Sequence, residues 1–451
     1  MGHAPVTGAG RWPAIARGSA YLLAAVWLIE LARLLHPVPL LSTLGSGGLL
    51  AFVLLALLRA SPHIRLLFAA ISVLAVSLAA TLGGIRMLQL GLERAQIFGA
   101  FLPSVLLLRS TVESSPRIAE IRSGIGELGA AERQNWTVYG SHLLGAVLNV
   151  GAMAILAPLI TRSAGDSDRQ ALAAGSVRGV GTAVMWSPFF LALGFVSHLI
   201  PGVRLWEAMG LGLALAAIGL ALSHRMFTPE LAGRGFVRSL RSIGPLVRPA
   251  AMIVATVVAI AVALGIGGLA AVSLAVPVLC GGYLLRRGGS ALGGVASRTL
   301  HHFGRLADEM IIVVGAIVLG TVIAQVPQVA ELARSMTPAV LSGAPLIVAL
   351  LALLVALGLA GLHPMIGATI LLPVLAGGAF GVCDLVLVNT AVFAWGLSAT
   401  VAIWTLPVAA AATAFAVPVR VLSTGRSLWF AAAYAACGAL FLVLTNYWLA
   451  C

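Results

Sequence analysis

Runs of about twenty apolar residues recur along nearly the whole chain, and they restrict it more than any motif does. Twenty residues of α-helix span about 30 Å, the thickness of a bilayer's hydrocarbon core. Clear runs occupy 18–36, 40–58, 64–82, 88–108, 205–224, 250–264, 267–285, 308–326 and 428–448. Three longer regions, 137–161, 170–200 and 344–416, are apolar but interrupted. Charged residues make up only 9% of the 451 and hydrophobic residues 60%, against about a quarter charged in a soluble domain. This balance excludes an ordinary soluble globular protein. In hydrocarbon the backbone must satisfy its own polar groups, which leaves helices as the spanning elements for runs of this length. The expected fold is an all-α polytopic membrane protein with about 11 transmembrane helices.

The 27 basic residues are all arginine, and the net charge is +13. They lie in short stretches between the apolar runs, where they orient a membrane protein. They form no basic domain, so membrane lipids are expected as partners and nucleic acid is not. Arg11 and Arg17 precede a run that starts at Ser19 and continues through Glu30 and Arg33 without a small-residue cleavage site. It reads as a retained first helix whose Glu30 and Arg33 pair or snorkel.

With a cytoplasmic N-terminus, five arginine groups fall inside. They are Arg59 and Arg65; Arg109, Arg117, Arg122 and Arg133; Arg225 to Arg248; Arg286 to Arg305; and Arg420 and Arg426. The count holds only if 137–161 enters and leaves from the inside and 345–376 enters and leaves from the outside. Arg162, Arg169 and Arg178 then also lie at the inner face. Two re-entrant hairpins in a multi-pass protein of the cell inner membrane are the expectation.

Each hairpin holds a histidine two residues after a glycine: Gly140-Ser-His142 and Gly361-Leu-His363. Each is followed at similar spacing by a glycine-rich break, "GVGTAVMWSP" from Gly179 and "GLSATVAIWTLP" from Gly396. With two one-residue gaps, Gly179 aligns with Gly396, Thr182 with Thr400, Trp186 with Trp404 and Pro188 with Pro407. The chain therefore reads as an N-terminal helix (1–39) and two inverted-topology repeats, 40–248 and 249–451. The first holds a hairpin at about 137–161 and a broken helix at about 170–200. The second holds a hairpin at about 345–376 and a broken helix at about 384–416. Such repeats meet near the bilayer midplane, where broken helices offer free N–H and C=O groups to ions and anionic substrates. Non-helical backbone at that depth needs protein or water around it, so the turns are expected to line a polar chamber.

The candidate substrate-binding residues are His142, Asn149, Gly181, Thr182, Trp186, His363, Thr369, Ser398, Thr400 and Trp404. A hairpin-tip histidine can hydrogen-bond an anion or carry a coupling proton near neutral pH; it can equally cap a helix or pack. The hydroxyls of Thr182, Ser398 and Thr400 can ligate, or simply bond back to the preceding turn. Gly179, Gly181 and Gly396 open the backbone or permit close packing. Asn149 and Thr369 fit interhelical bonding better than ligation. Trp186 and Trp404 either wall a substrate or mark an interface. Asp308, Glu309 and Asp384 begin helices, where acids suit the dipole. The four cysteines, Cys280, Cys383, Cys437 and Cys451, form no CxxC pair, and inert thiols are expected.

The stretch "HPMIGATILLPVLAGGAFGVCDLVLVNTAVFAWGLSATVAIWTLP", from His363 to Pro407, resembles the ion transporter superfamily. That group includes the large membrane subunits of TRAP transporters and the divalent anion/sodium symporters. The resemblance covers residues 40–450 at the level of topology. The Ser-Asn-Thr hairpin motifs of the divalent anion symporters are replaced here by Gly-Ser-His and Gly-Leu-His. The resemblance implies a secondary active transporter of a small, carboxylate-like organic anion, with elevator-type alternating access and Na+ or H+ as coupling ion. No zinc, haem or iron–sulfur pattern occurs, so no resident cofactor is expected, and dimers within part of the superfamily imply a homodimer. The competing readings are a membrane-embedded enzyme, a lipid flippase, and the membrane subunit of a multi-component transporter. An enzyme would want a cluster of acids, histidines or metal ligands, and only isolated residues occur, so a non-enzyme is expected.

Overall fold

The computed structural model describes residues 12–82, 84–116, 125, 128–160, 165–241, 243–326, 328, 331, 335, 341–378 and 380–449. Arg11, Arg117, Arg122, Arg162, Cys451 and the C-terminal edge of the first hairpin region lie outside the described residues. Helix accounts for 83% of the described residues, and no strand occurs among them. The protein is an all-α polytopic membrane protein.

The chain opens with α1 (Trp12–Leu35), α2 (Pro39–Leu57), α3 (Pro62–Leu82), α4 (Arg86–Ala95) and α5 (Phe98–Glu113). Next come α6 (Ala130–Leu148), α7 (Gly151–Ile160), α8 (Asp166–Val184), α9 (Leu191–Leu199), α10 (Leu205–Phe227), α11 (Gly233–Arg241) and α12 (Gly244–Leu264). The middle holds α13 (Gly268–Arg287), α14 (Gly289–Phe303) and α15 (Ala307–Ala324). The last group is α16 (Ala344–Leu359), α17 (Pro364–Leu375), α18 (Asp384–Val401), α19 (Leu406–Phe415), α20 (Val419–Ser423) and α21 (Arg426–Leu449).

Ten stretches among the described residues are long and apolar enough to cross a membrane. The pair α8–α9, expected as a further crossing, is not among them. Asp166, Asp168 and Arg169 in the first turn of α8, with Arg178 further on, make that helix too polar by composition. The expected run 88–108 is divided by a turn at Gln96–Ile97, where the Gln96 amide donates to the Ser42 carbonyl at 2.5 Å.

The chain divides into two compact units. One comprises residues 1–111 and 273–327, the other 112–272 and 328–451. Each unit takes segments from both proposed repeats. In the first unit, α15 packs on α3 and α4. A Cβ at Gly91 would lie 2.8 Å from the Val318 Cα, so glycine is what lets α4 and α15 approach. Glu30, fully buried, binds Arg33 through two bonds of 2.7 and 2.6 Å. The Trp27 indole donates to Ser104 Oγ at 3.0 Å.

The second unit contains both hairpins and both broken helices. The first hairpin, α6–α7, turns at Asn149, and the second, α16–α17, turns at residues 360–363. Asn149 has a φ of 57°, which Asn tolerates better than most residues, and its own side-chain carbonyl accepts the Val150 N–H at 2.8 Å. Gly361 has a φ of 88°, so the second turn uses a glycine where a Cβ would be strained. The α8–α9 helix breaks over 185–190 and the α18–α19 helix over 402–405. The connector before α18 is tied down by side chains. Asp384 accepts the Gly377 N–H at 2.7 Å, and Asn446 accepts from the Cys383 N–H and donates to the Gly381 carbonyl, both at 2.9 Å. Cys280 and Cys437 are free thiols, whereas Cys383 is disulfide-bonded, so the thiols are not all reduced as expected.

Candidate functional site

Nine of the ten candidate residues lie on the hairpins and broken helices of the second unit or at their turns, and Asn149 forms the first turn itself. Helices α6 and α8 lie close because Gly179 has no side chain. A Cβ there would fall 2.8 Å from the Ser141 Cβ and 3.0 Å from the His142 N, and would press into the Val138 carbonyl. This contact brings His142 against the polar end of α8. Its Nδ1 lies 2.9 Å from Thr182 Oγ1, and the Trp186 indole N–H donates to its Nε2 at 3.1 Å. An indole N–H only donates, so Nε2 must be the bare nitrogen and Nδ1 carries the proton. Nδ1–H then donates to Thr182, and Thr182 donates onward to the carbonyls of Gly179 (2.8 Å) and Arg178 (3.1 Å). The ring is neutral and satisfied on both nitrogens.

The first break is tied to the same hairpin. Ser187 donates to the Ala146 carbonyl at 2.5 Å and accepts the Phe189 N–H at 3.2 Å, and Ser141 and Ser176 hydroxyls meet at 2.9 Å. His142, Thr182 and Ser187 are all buried. The sequence reading puts His142 near the hairpin turn. Instead α6 runs unbroken through it and turns about two helical turns later, at Asn149. A small cleft of about 10 Å³ lies beside Arg178. Arg178 itself, read from sequence as an inner-face charge, is buried.

The second half is built differently. His363 is the N-cap of α17: its Nδ1 accepts the Met365 N–H at 3.3 Å, which places the ring proton on Nε2. The ring stands edge-on to Trp395, with centroids 5.1 Å apart and planes at 88°. Trp395 also meets Phe195 of α9 edge-on at 6.3 Å. Ser398 bonds back to the Ala394 carbonyl at 2.9 Å and Thr400 to the Leu397 carbonyl at 2.6 Å. The back-bonding alternative for these hydroxyls is therefore the one observed in this conformation. Thr369 Oγ1 is buried with no hydrogen-bond partner among the described residues. Trp404 is 68% exposed and lies over the second turn: a Cβ at Gly361 would sit 3.5 Å from its Cδ1.

The two broken helices meet at a glycine pair. A Cβ on Gly396 would lie 3.1 Å from the Gly181 carbonyl, and one on Gly181 would lie 3.5 Å from the Gly396 carbonyl. The sequence alignment pairs Gly396 with Gly179, but contact falls one position pair later, at Gly181. Helix α10 closes the other side, with Gly212 under Met185 and Trp186 and Gly219 against Thr182. Sequence reasoning missed Trp395 and Ser187. Each had a signal: Trp395 is one turn before Ser398 on the same helix, and Ser187 directly precedes the break proline Pro188.

No protein-family model matches the sequence, and neither does any curated protein. Solved structures do. The Neisseria gonorrhoeae MtrF structure, described with a class of antimetabolite efflux pumps, aligns over 81% of this chain and 84% of its own at 13% identity, with a TM-score of 0.44. The Alcanivorax borkumensis YdaH transporter, whose crystal structure is described as having an unusual topology, aligns over 86% of this chain and 98% of its own. The identity is 16% and the TM-score 0.52. Neither is described as a TRAP subunit or a divalent anion symporter. The second alignment identifies the fold: this chain is folded like the YdaH transporter.

Proposed function

We propose that the chain is an ion-coupled secondary active transporter of a small organic anion. The observation that carries this reading is the contact of two broken helices at Gly181 and Gly396, each break lying beside its own hairpin. Paired broken helices and hairpins are how inverted-repeat transporters build a midplane site. The likeness of fold to a protein described as a transporter supports it, as does the resemblance of residues 363–407 to the ion transporter superfamily.

On this reading the two repeats are inverted copies, the N-terminus is cytoplasmic, and alternating access is of the elevator type. The coupling ion is Na+ or H+. His363 Nε2–H and the first-turn N–H groups of α19 meet the substrate's negative charge, while Trp395 and Trp404 wall its apolar part. His142, Thr182 and Trp186 are positioning residues that hold the first break in place.

The test is uptake into proteoliposomes under imposed Na+ or H+ gradients, using small carboxylates chosen by thermal-shift screening. Replacing His363→Ala should reduce uptake at least about 10-fold, a loss of about 1.4 kcal/mol in transition-state binding, while insertion and monodispersity are retained. Undiminished uptake would remove His363 from the site.

A further inference from the structure

Arg178 is placed where an arginine ought to have a counter-charge, and no acidic side chain among the described residues is paired with it. It lies on α8 one turn before Thr182 and is 5% exposed. Its Nε donates to Ser223 Oγ at 3.0 Å. Its guanidinium faces the Phe227 ring at 3.6 Å, with Phe430 at 5.8 Å. A second cation, Arg426, lies 4.9 Å from the same Phe227 ring and donates to the Met226 carbonyl. Arg178 Nη1 is buried with no hydrogen-bond partner among the described residues. Glu132, on the same helix as Gln134 and Asn135, is committed elsewhere: it pairs with Arg238 at 2.9 Å and accepts the Gly129 N–H at 3.0 Å.

Arg178 lines a small cleft of about 10 Å³, together with Gln134, Asn135, Tyr139, His224 and Thr228. A buried cation without an opposite charge is strongly unfavourable, and an aromatic face compensates only part of that cost. The Asn135 amide is taken by Ser239 Oγ at 2.7 Å, and His224 Nδ1 is paired with Thr228 Oγ1 at 3.2 Å. Gln134, Tyr139 and Arg178 remain as lining donors. A cavity of about 10 Å³ has room for about one water-sized group, so this cleft suits a single ion or one compact group.

From the unpaired Nη1, the two cations around Phe227 and the size of the cleft, we propose that this is a binding site for one small monovalent anion. A halide or a compact carboxylate would be held by Arg178 with Tyr139 and Gln134. The site is separate from the proposed substrate contacts at His363 and does not rest on the transport reading. Thr182 donates to the Arg178 carbonyl, so an occupied site would also steady α8 just before its break.

The experiment uses the full chain in detergent, in isethionate buffer at constant ionic strength, with thermal unfolding followed against added chloride, bromide or formate. The midpoint should rise by about 3 °C and saturate. Arg178→Gln should abolish the response and Tyr139→Phe should weaken it. A response to halide alone points to a free inorganic ion, and a response to formate points to a carboxylate; either supports the site. No response in the wild-type chain, or an equal one in Arg178→Gln, overturns it. If Arg178→Gln fails to fold, bromide anomalous scattering from crystals of the wild-type chain decides. A peak beside Arg178 Nη1 supports the site, and none at that position overturns it.

Discussion

The two hairpin histidines occupy similar places in the sequence and opposite situations in the structure. His142 is held by three partners' worth of geometry: the glycine contact at Gly179, the Thr182 hydroxyl and the Trp186 indole. His363 uses one nitrogen to cap a helix and leaves the other uncommitted by that cap. The tryptophans follow suit. Trp186 is 8% exposed and hydrogen-bonded to its histidine, whereas Trp404 is 68% exposed and lies across a glycine turn. Similar sequence need not give two equal halves. One half is a closed polar latch beside a helix break, and the other has a helix-capping histidine and an exposed tryptophan.

That contrast makes paired substitutions informative. His142→Ala removes the acceptor of a buried indole N–H and leaves a void, so it should cost about 4 kcal/mol of stability. His363→Ala loses one cap and should cost about 1 kcal/mol. Denaturation midpoints in detergent measure both. Equal losses at the two histidines would show that the halves are not mechanically different. A finer test uses the tryptophans. Trp186→Phe keeps the ring but leaves His142 Nε2 without its donor, for about 1–2 kcal/mol. Trp404→Phe should stay within about 0.5 kcal/mol, since exposed substitutions usually do. A Trp186→Phe chain as stable as the wild type would remove the indole bond, and with it the assignment of the His142 proton to Nδ1.

Much of the fold was legible because spanning a membrane needs length and apolarity, and both are written in the chain. The breaks near 185 and 402 were legible from glycine, proline and hydroxyl residues set inside apolar runs. His363 was legible as a helix start because a residue before proline is pushed toward extended backbone. His142 had no such neighbour, and nothing local showed that α6 would continue to Leu148. The turn signal is Asn149, whose side-chain carbonyl accepts the Val150 N–H at positive φ. The burial of Arg178 could not be read at all. It depends on Phe227 and Phe430, which come from two distant helices and meet it only after folding. The contacts of Trp395, unlike its place on the helix of Ser398, are hidden in the same way, since its partners His363 and Phe195 belong to other segments.

The central claim is that the α6–α7 and α16–α17 hairpins dip into the membrane from opposite faces without crossing it. Single cysteines at Ala130, Gly165, Ala344 and Ala376, in a chain whose own cysteines are serine, test it with a membrane-impermeant maleimide on cells and on inside-out vesicles. The account predicts that Ala130→Cys and Gly165→Cys are both labelled from the inside, and Ala344→Cys and Ala376→Cys both from the outside. Labelling that splits either pair across the membrane, or that places all four on one face, would contradict it.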